Sequence, residues 1–260
     1  MKEVSIEISS TGIATITLCC PHKHNAFDDE MILELTVAFR EVNENPQVKV
    51  VVLAAQGKSF SAGGDLAWMK RMAEFSYEEN LADAQVLATM LKTLNEIGKP
   101  VIARVQGAAY GGAVGLVCCC DIAVGTPQAK LCLSEVKIGL APATICPYVV
   151  AAIGQRATRR YALTAEVIDA DSALKMGLLS TVVEEDELDD EVQRYCEILL
   201  ANGGDAMRAA KELIAEVADQ PISDEVIKRT SAVIAELRGS DEAQKRLAAF
   251  LGKNNSSSKN

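Results

Sequence analysis

The sequence predicts an α/β fold that opens β-rich and finishes mostly helical. Three observations lead there. Apolar residues alternate strand-fashion at the start of the chain. Twice further on, an apolar run passes through a glycine-rich turn into a helical pattern. From Pro142 onward helical periodicity takes over, interrupted only at Leu178 to Val183.

Taken in order, Val4, Ile6 and Ile8 alternate as one strand, Gly12 turns, and Ile13–Leu18 forms the next, a hairpin. Pro21 to Asn25 is a loop. Asp28 or Asp29 can cap a helix whose stripe is Ile32, Leu35, Phe39 and Val42, closed by Asn43 to Pro46. Val48–Leu53 reads as a buried strand carrying one lysine. The loop Gly57–Asp65 follows, then a helical region including Tyr77 to Ile97. The order repeats with a strand at Pro100–Val105, the turn Gly107–Gly112 and an apolar helix through Cys118. Short strands are expected at Asp121–Val124 and Lys130–Leu133. Late helices carry Leu188, Val192, Tyr195 and Leu199, then Val226, Thr230, Val233 and Leu237. Glu184 to Glu191, seven acids in eight residues, reads as a solvated loop entering a helix N-terminus.

Composition removes several function classes. With 26 Lys+Arg against 36 Asp+Glu, the formal charge is −10, which argues against nucleic acid as the main partner. His22 and His24 are the only histidines and share one loop, so metal-hydrolase, Ser-His and Cys-His schemes lack parts. No apolar run is long enough to span a bilayer and no signal peptide is visible, so a cytoplasmic protein without membrane contact is expected. Eight cysteines, two groups of them contiguous and none in CxxC spacing, suit small buried apolar residues in a reducing compartment.

The two glycine-rich turns offer free backbone N–H groups at helix starts, the material of an oxyanion hole. Neither matches a dinucleotide or P-loop fingerprint, and no GxSxG occurs. Taken singly, either turn is explained by packing alone. Phe60–Leu66 (FSAGGDL) and Gly107–Ala113 (GAAYGGA), the latter running on to Cys120–Ala123, together resemble the two hallmark segments of the enoyl-CoA hydratase/isomerase (crotonase) family. Pro21–Ala26, Ser134–Pro142 and Asp171–Leu179 match its further segments in order, so the resemblance covers residues 3–252.

The resemblance implies a crotonase-like spiral of repeated ββα units over residues 1–195, a C-terminal helical trimerisation region over 196–252, and a disordered tail at 253–260. It implies an acyl-CoA substrate, no metal or redox cofactor, and a homotrimer or dimer of trimers. Carried onto this chain, the oxyanion amides are those of Gly64 and Gly112. Ala62, Asp65 and Leu66 line the CoA path, and Lys23, Phe250 and Lys253 approach the CoA. Glu135 moves the protons that histidine cannot. Its neighbours Ser134 and Val136 are small or apolar, so partial burial is expected to raise its pKa.

Two-glutamate members carry a second glutamate where Gly115 stands here. FSAGGDLAWM (Phe60–Met69) and GLAPATICPYVV (Gly139–Val150) are similar to the bacterial methylglutaconyl-CoA hydratases, which puts Trp68 and Met69 near the acyl end. A lone glutamate also suits a double-bond isomerase, and a non-catalytic acyl-CoA-binding member of the fold is the other alternative.

Overall fold

The computed structural model describes residues 2–257, with side chains over 2–252. The chain folds as two compact units, one reaching to Cys196 and the other starting at Glu197. The strands of the first unit are β1 (Val4–Ile8), β2 (Ile13–Leu18), β3 (Val50–Ala55), β4 (Val101–Val105), β5 (Ala109–Tyr110), β6 (Ile122–Gly125), β7 (Lys130–Cys132), β8 (Ile168–Asp169) and β9 (Thr181–Val182). Its helices are α1 (Asp29–Glu44), α2 (Leu66–Met72), α3 (Tyr77–Asn95), α4 (Gly112–Cys118), α5 (Cys146–Thr164) and α6 (Ala170–Met176). α7 (Leu188–Ala201) crosses the division, and α8 (Gly204–Val217), α9 (Asp224–Gly239) and α10 (Asp241–Ser257) lie in the second unit.

Six strands form one sheet in the order β1-β2-β3-β4-β6-β9, antiparallel at the β1–β2 hairpin and parallel beyond it. A smaller sheet runs β5-β7-β8. Every residue of β3 is buried, as a central parallel strand covered on both faces requires. That burial corrects the strand expected at Val48–Leu53. Lys49 is exposed, its N–H bonds to the Gly12 carbonyl at 2.7 Å, and the strand starts only after it. A lysine has no outlet from a doubly covered strand.

α1 is capped by Asp28, whose side chain accepts from the Met31 N–H, and its expected stripe Ile32, Leu35, Phe39 and Val42 is buried. The short strand β8 interrupts a stretch expected to be helical. α5 ends at Ala165 in a left-handed conformation, and Ile168 then pairs with Leu131. The acidic run forms a 3-10 turn at Glu185–Glu187 and the first turn of α7. α10 extends to Ser257, overlapping the stretch expected to be a disordered tail; residues 258–260 lie outside the described residues.

Candidate active site

The two glycine-rich turns lie side by side. The Ser61 N–H bonds to the Ala108 carbonyl at 3.0 Å, and the Tyr110 N–H returns to the Ser61 carbonyl at 3.0 Å. Gly63 has φ +88°, and a Cβ there would lie 2.7 Å from the Tyr110 carbonyl oxygen, so both conformation and space require glycine.

In the first turn, Phe27 brackets Gly64. The Phe27 N–H donates to the Gly63 carbonyl and the Phe27 carbonyl accepts from the Asp65 N–H, both at 2.7 Å. This bridge uses the Gly63 carbonyl and the Asp65 N–H, the Gly63 N–H donates to Ser61 Oγ, and the Gly64 N–H is left without an acceptor among the described residues. In the second turn, Gly112 is the first residue of α4, where no intrahelical acceptor exists, and its N–H is likewise unpartnered among the described residues. The Phe27 ring ties the two together: a Cβ on Gly112 would stand 3.2 Å from it.

Glu135 opens a 3-10 turn at Glu135–Ile138. Its Oε1 stands 3.3 Å from where a Cβ on Gly111 would be, so the missing side chain of Gly111 lets the carboxylate come up to the turn. Its Oε2 is buried with no hydrogen-bond partner among the described residues. Burial pushes its pKa above the ordinary carboxylate value, opposed by its own backbone N–H. The chain neighbour Val136 is itself exposed, so the burial comes from tertiary packing rather than from the adjacent residue. At Gly115 a Cβ would run into the Cγ2 methyl of Ile145 and lie 3.3 Å from Leu91 Cδ2. Apolar side chains therefore fill the space a second glutamate would need.

The remaining residues named from the sequence fall into several places. Asp65 caps α2, its Oδ1 accepting from both the Ala67 and Trp68 N–H groups. Ala62 is exposed, with its N–H bonded to the His24 carbonyl at 2.9 Å, and Leu66 is exposed. Trp68 is buried, donates from Nε1 to Asp83 Oδ1 at 3.1 Å, and with Met69 stands against Gly64. Phe250 is exposed on α10 of the second unit, and the Lys253 side chain lies outside the described residues.

Lys23, expected near the CoA phosphates, is held by two carboxylates of the chain. Its ammonium is bonded to Glu3 Oε1 at 2.7 Å and Asp28 Oδ2 at 2.6 Å, with 19% of its side chain exposed. Despite the opposing effect of burial, those two carboxylates raise its pKa. Its charge is compensated inside the fold.

Two residues that the sequence did not single out hold the turns in place. Asn25, fully buried, accepts from the Cys20 N–H and donates to the Gln56 and Ser59 carbonyls. Gln106 donates to the carbonyls of Ala55, Gly57 and Ser59. The only local signal was at Gln106, an amide between the apolar strand β4 and Gly107.

Two free amides and a partly buried carboxylate with one unpartnered oxygen, on adjoining turns, are the equipment for stabilising an enolate and moving a proton to or from it. This chain belongs to the enoyl-CoA hydratase/isomerase family, whose model matches residues 8–259. A solved enoyl-CoA hydratase from Shewanella pealeana superposes with a TM-score of 0.93 at 44% identity, covering 96% of this chain and 94% of that one. The (E)-benzylidenesuccinyl-CoA hydratase of Thauera aromatica is 31% identical over 86% of each chain. The crotonyl-CoA hydratase of Syntrophomonas wolfei is 32% identical over 76% of each.

Proposed function

We propose that the chain is an acyl-CoA lyase that reversibly hydrates an α,β-unsaturated acyl-CoA thioester, with 3-methylglutaconyl-CoA as the favoured substrate. The observation that carries the reading is Glu135, partly buried with Oε2 unpartnered among the described residues, beside Gly111 at the turn that also holds the free Gly112 amide. The hydratase names of the relatives above support the same reaction.

In this mechanism the N–H groups of Gly64 and Gly112 donate to the thioester oxygen. Negative charge grows on that oxygen as water adds at C3, so the amides stabilise the enolate more than the ground state. The Glu135 carboxylate takes a proton from the water as its oxygen bonds to C3. The resulting carboxylic acid then delivers that proton to C2, giving the 3-hydroxyacyl thioester and regenerating the base. Burial suits both halves, because a raised pKa makes the carboxylate a better base at neutral pH. The chain's own groups perform every step, and no metal or redox cofactor enters this reading.

The preference for a branched acyl group rests on the likeness of Phe60–Met69 and Gly139–Val150 to methylglutaconyl-CoA hydratases, and on Trp68 and Met69 standing against Gly64. A cytoplasmic trimer or hexamer is part of the same proposal. Exposed Ile214, Ile222 and Phe250 in the second unit favour self-association, which light scattering of the purified protein tests.

The lone glutamate favours a second reading, an isomerase that shuttles a proton between C2 and C4 without adding water. Turnover in H₂¹⁸O separates the two. The hydratase incorporates label at C3 of 3-methylglutaconyl-CoA or crotonyl-CoA, whereas a shifted double bond without label overturns hydration.

A further inference from the structure

The loop from Cys20 to Asp28 touches both oxyanion glycines. The backbone of Phe27 brackets Gly64, the ring of Phe27 packs on Gly112, and the His24 carbonyl holds the Ala62 N–H. The loop itself is in a conformation that needs support: His24 and Asn25 are consecutive non-glycine residues with φ +53° each. Such a backbone persists only where its surroundings over-determine it. Two devices do so. The buried Asn25 amide bonds the loop to Cys20, Gln56 and Ser59. The Lys23 ammonium joins Glu3, just before β1, to Asp28, the cap of α1.

Glu3 and Asp28 are themselves about as enclosed as Lys23, at 16% and 20% exposed. Glu3 Oε2 has no partner among the described residues, so removing Lys23 strands a buried carboxylate. Asp28 divides its two oxygens between Lys23 and the first turn of α1. The ion pairs therefore fix where the loop leaves the sheet and where it enters the helix, and Phe27 lies between those points.

We propose that Lys23 is a positioning residue for the oxyanion hole: through its pairs with Glu3 and Asp28 it sets the loop whose Phe27 spaces the Gly64 and Gly112 amides, and it does not bind the phosphates of CoA. This rests on the oxyanion reading above, and it assigns Lys23 to transition-state geometry rather than to substrate affinity. A misplacement of about 1 Å at such a site costs on the order of 10²-fold in rate.

The test compares wild type, Lys23→Met and Lys23→Arg on the best enoyl-CoA substrate and on the N-acetylcysteamine thioester of the same acyl group, which carries no phosphate. The expected result for Lys23→Met is a kcat lower by about 10–100-fold on both thioesters, with KM for the CoA ester nearly unchanged. Lys23→Arg should recover most of the rate. Amide hydrogen exchange at Ala62 and Asp65, which bond to His24 and Phe27, should accelerate in Lys23→Met while β3 amides stay protected. A KM that rises for the CoA ester alone, with kcat and exchange unchanged, overturns the proposal, as does no change at all. Should Lys23→Met fail to fold, Glu3→Gln decides with an opposite sign: the clamp predicts a lower kcat on both thioesters, whereas a phosphate ligand freed from a competing carboxylate predicts a lower KM for the CoA ester. Wild-type protein inert toward every enoyl thioester sinks the hydratase reading, and exchange at Ala62 and Asp65 still decides the clamp.

Discussion

The two turns reach the same chemical result by different routes. In the turn at Gly63–Asp65, a short parallel bridge with Phe27 takes the Gly63 carbonyl and the Asp65 N–H and passes over the Gly64 N–H. In the turn at Gly111–Gly112, the donor is free because a helix starts there with no side-chain cap. The first turn is wired by backbone bonds to the loop that follows β2. The second is backed by the buried apolar helix α4 and brings Glu135 up to Gly111. A donor left out of a ladder depends on the segment that forms the ladder, whereas a donor at a helix start is intrinsic to the helix. The first turn should therefore respond to distant changes, and the second to changes on the spot.

The largest expected effect breaks the second turn's chemistry. Glu135→Gln should lower kcat by about 10³-fold or more while leaving CoA-thioester affinity, measured calorimetrically, nearly intact. Next, Gly112→Pro removes one donor at a first helical position, suited to proline's backbone, and also presses on the Phe27 ring. A loss of about 10²–10³-fold in kcat with retained helicity by circular dichroism is expected. Gly64→Ala is the matched control. Its Cβ would lie 3.4 Å from Met69, an ordinary contact, and its N–H remains, so kcat should fall by less than about 10-fold. A collapse of activity there would show that the first turn is as locally determined as the second.

Smaller effects concern stability. Gly115→Glu should destabilise the protein by about 1–3 kcal/mol in denaturant titrations, because its stem meets Ile145 and Leu91. Ile145→Ala in the same chain should recover part of that loss. Glu135→Gln should raise Tm, by about 2–4 °C for each kcal/mol gained. The sign follows from burial. The folded pKa of Glu135 lies above its unfolded value, so its contribution favours folding at low pH and is lost as pH rises through the folded pKa. The Tm difference between variant and wild type should accordingly widen from acidic to neutral pH, and a constant difference would contradict it.

Local patterns are legible in the amino-acid sequence. The alternation of Ile13–Leu18 and the α1 stripe of Ile32, Leu35, Phe39 and Val42 fold as their spacing predicts, because each face is set by its own residues. The segments around Gly64, Gly112 and Glu135 are legible too, through family likeness rather than spacing. Contacts between distant residues are not. Lys23 has the look of a free cation in the sequence because Glu3 lies twenty positions upstream, just before β1. Asn25 and Gln106 act on carbonyls 31 to 51 positions away, which no local rule connects. β8 is two residues long and held by β7 alone, too short to leave a periodicity.

The packing of Ile145 on Gly115 constrains how this sequence can change over generations. A glutamate at position 115 calls for a second, compensating change, because its stem alone meets the Ile145 methyl and is expected to cost folding stability. Trimming Ile145 first leaves a cavity and no new chemistry. Room at position 115 and a side chain to fill it therefore have to arrive together, the two positions being coupled through one methyl group.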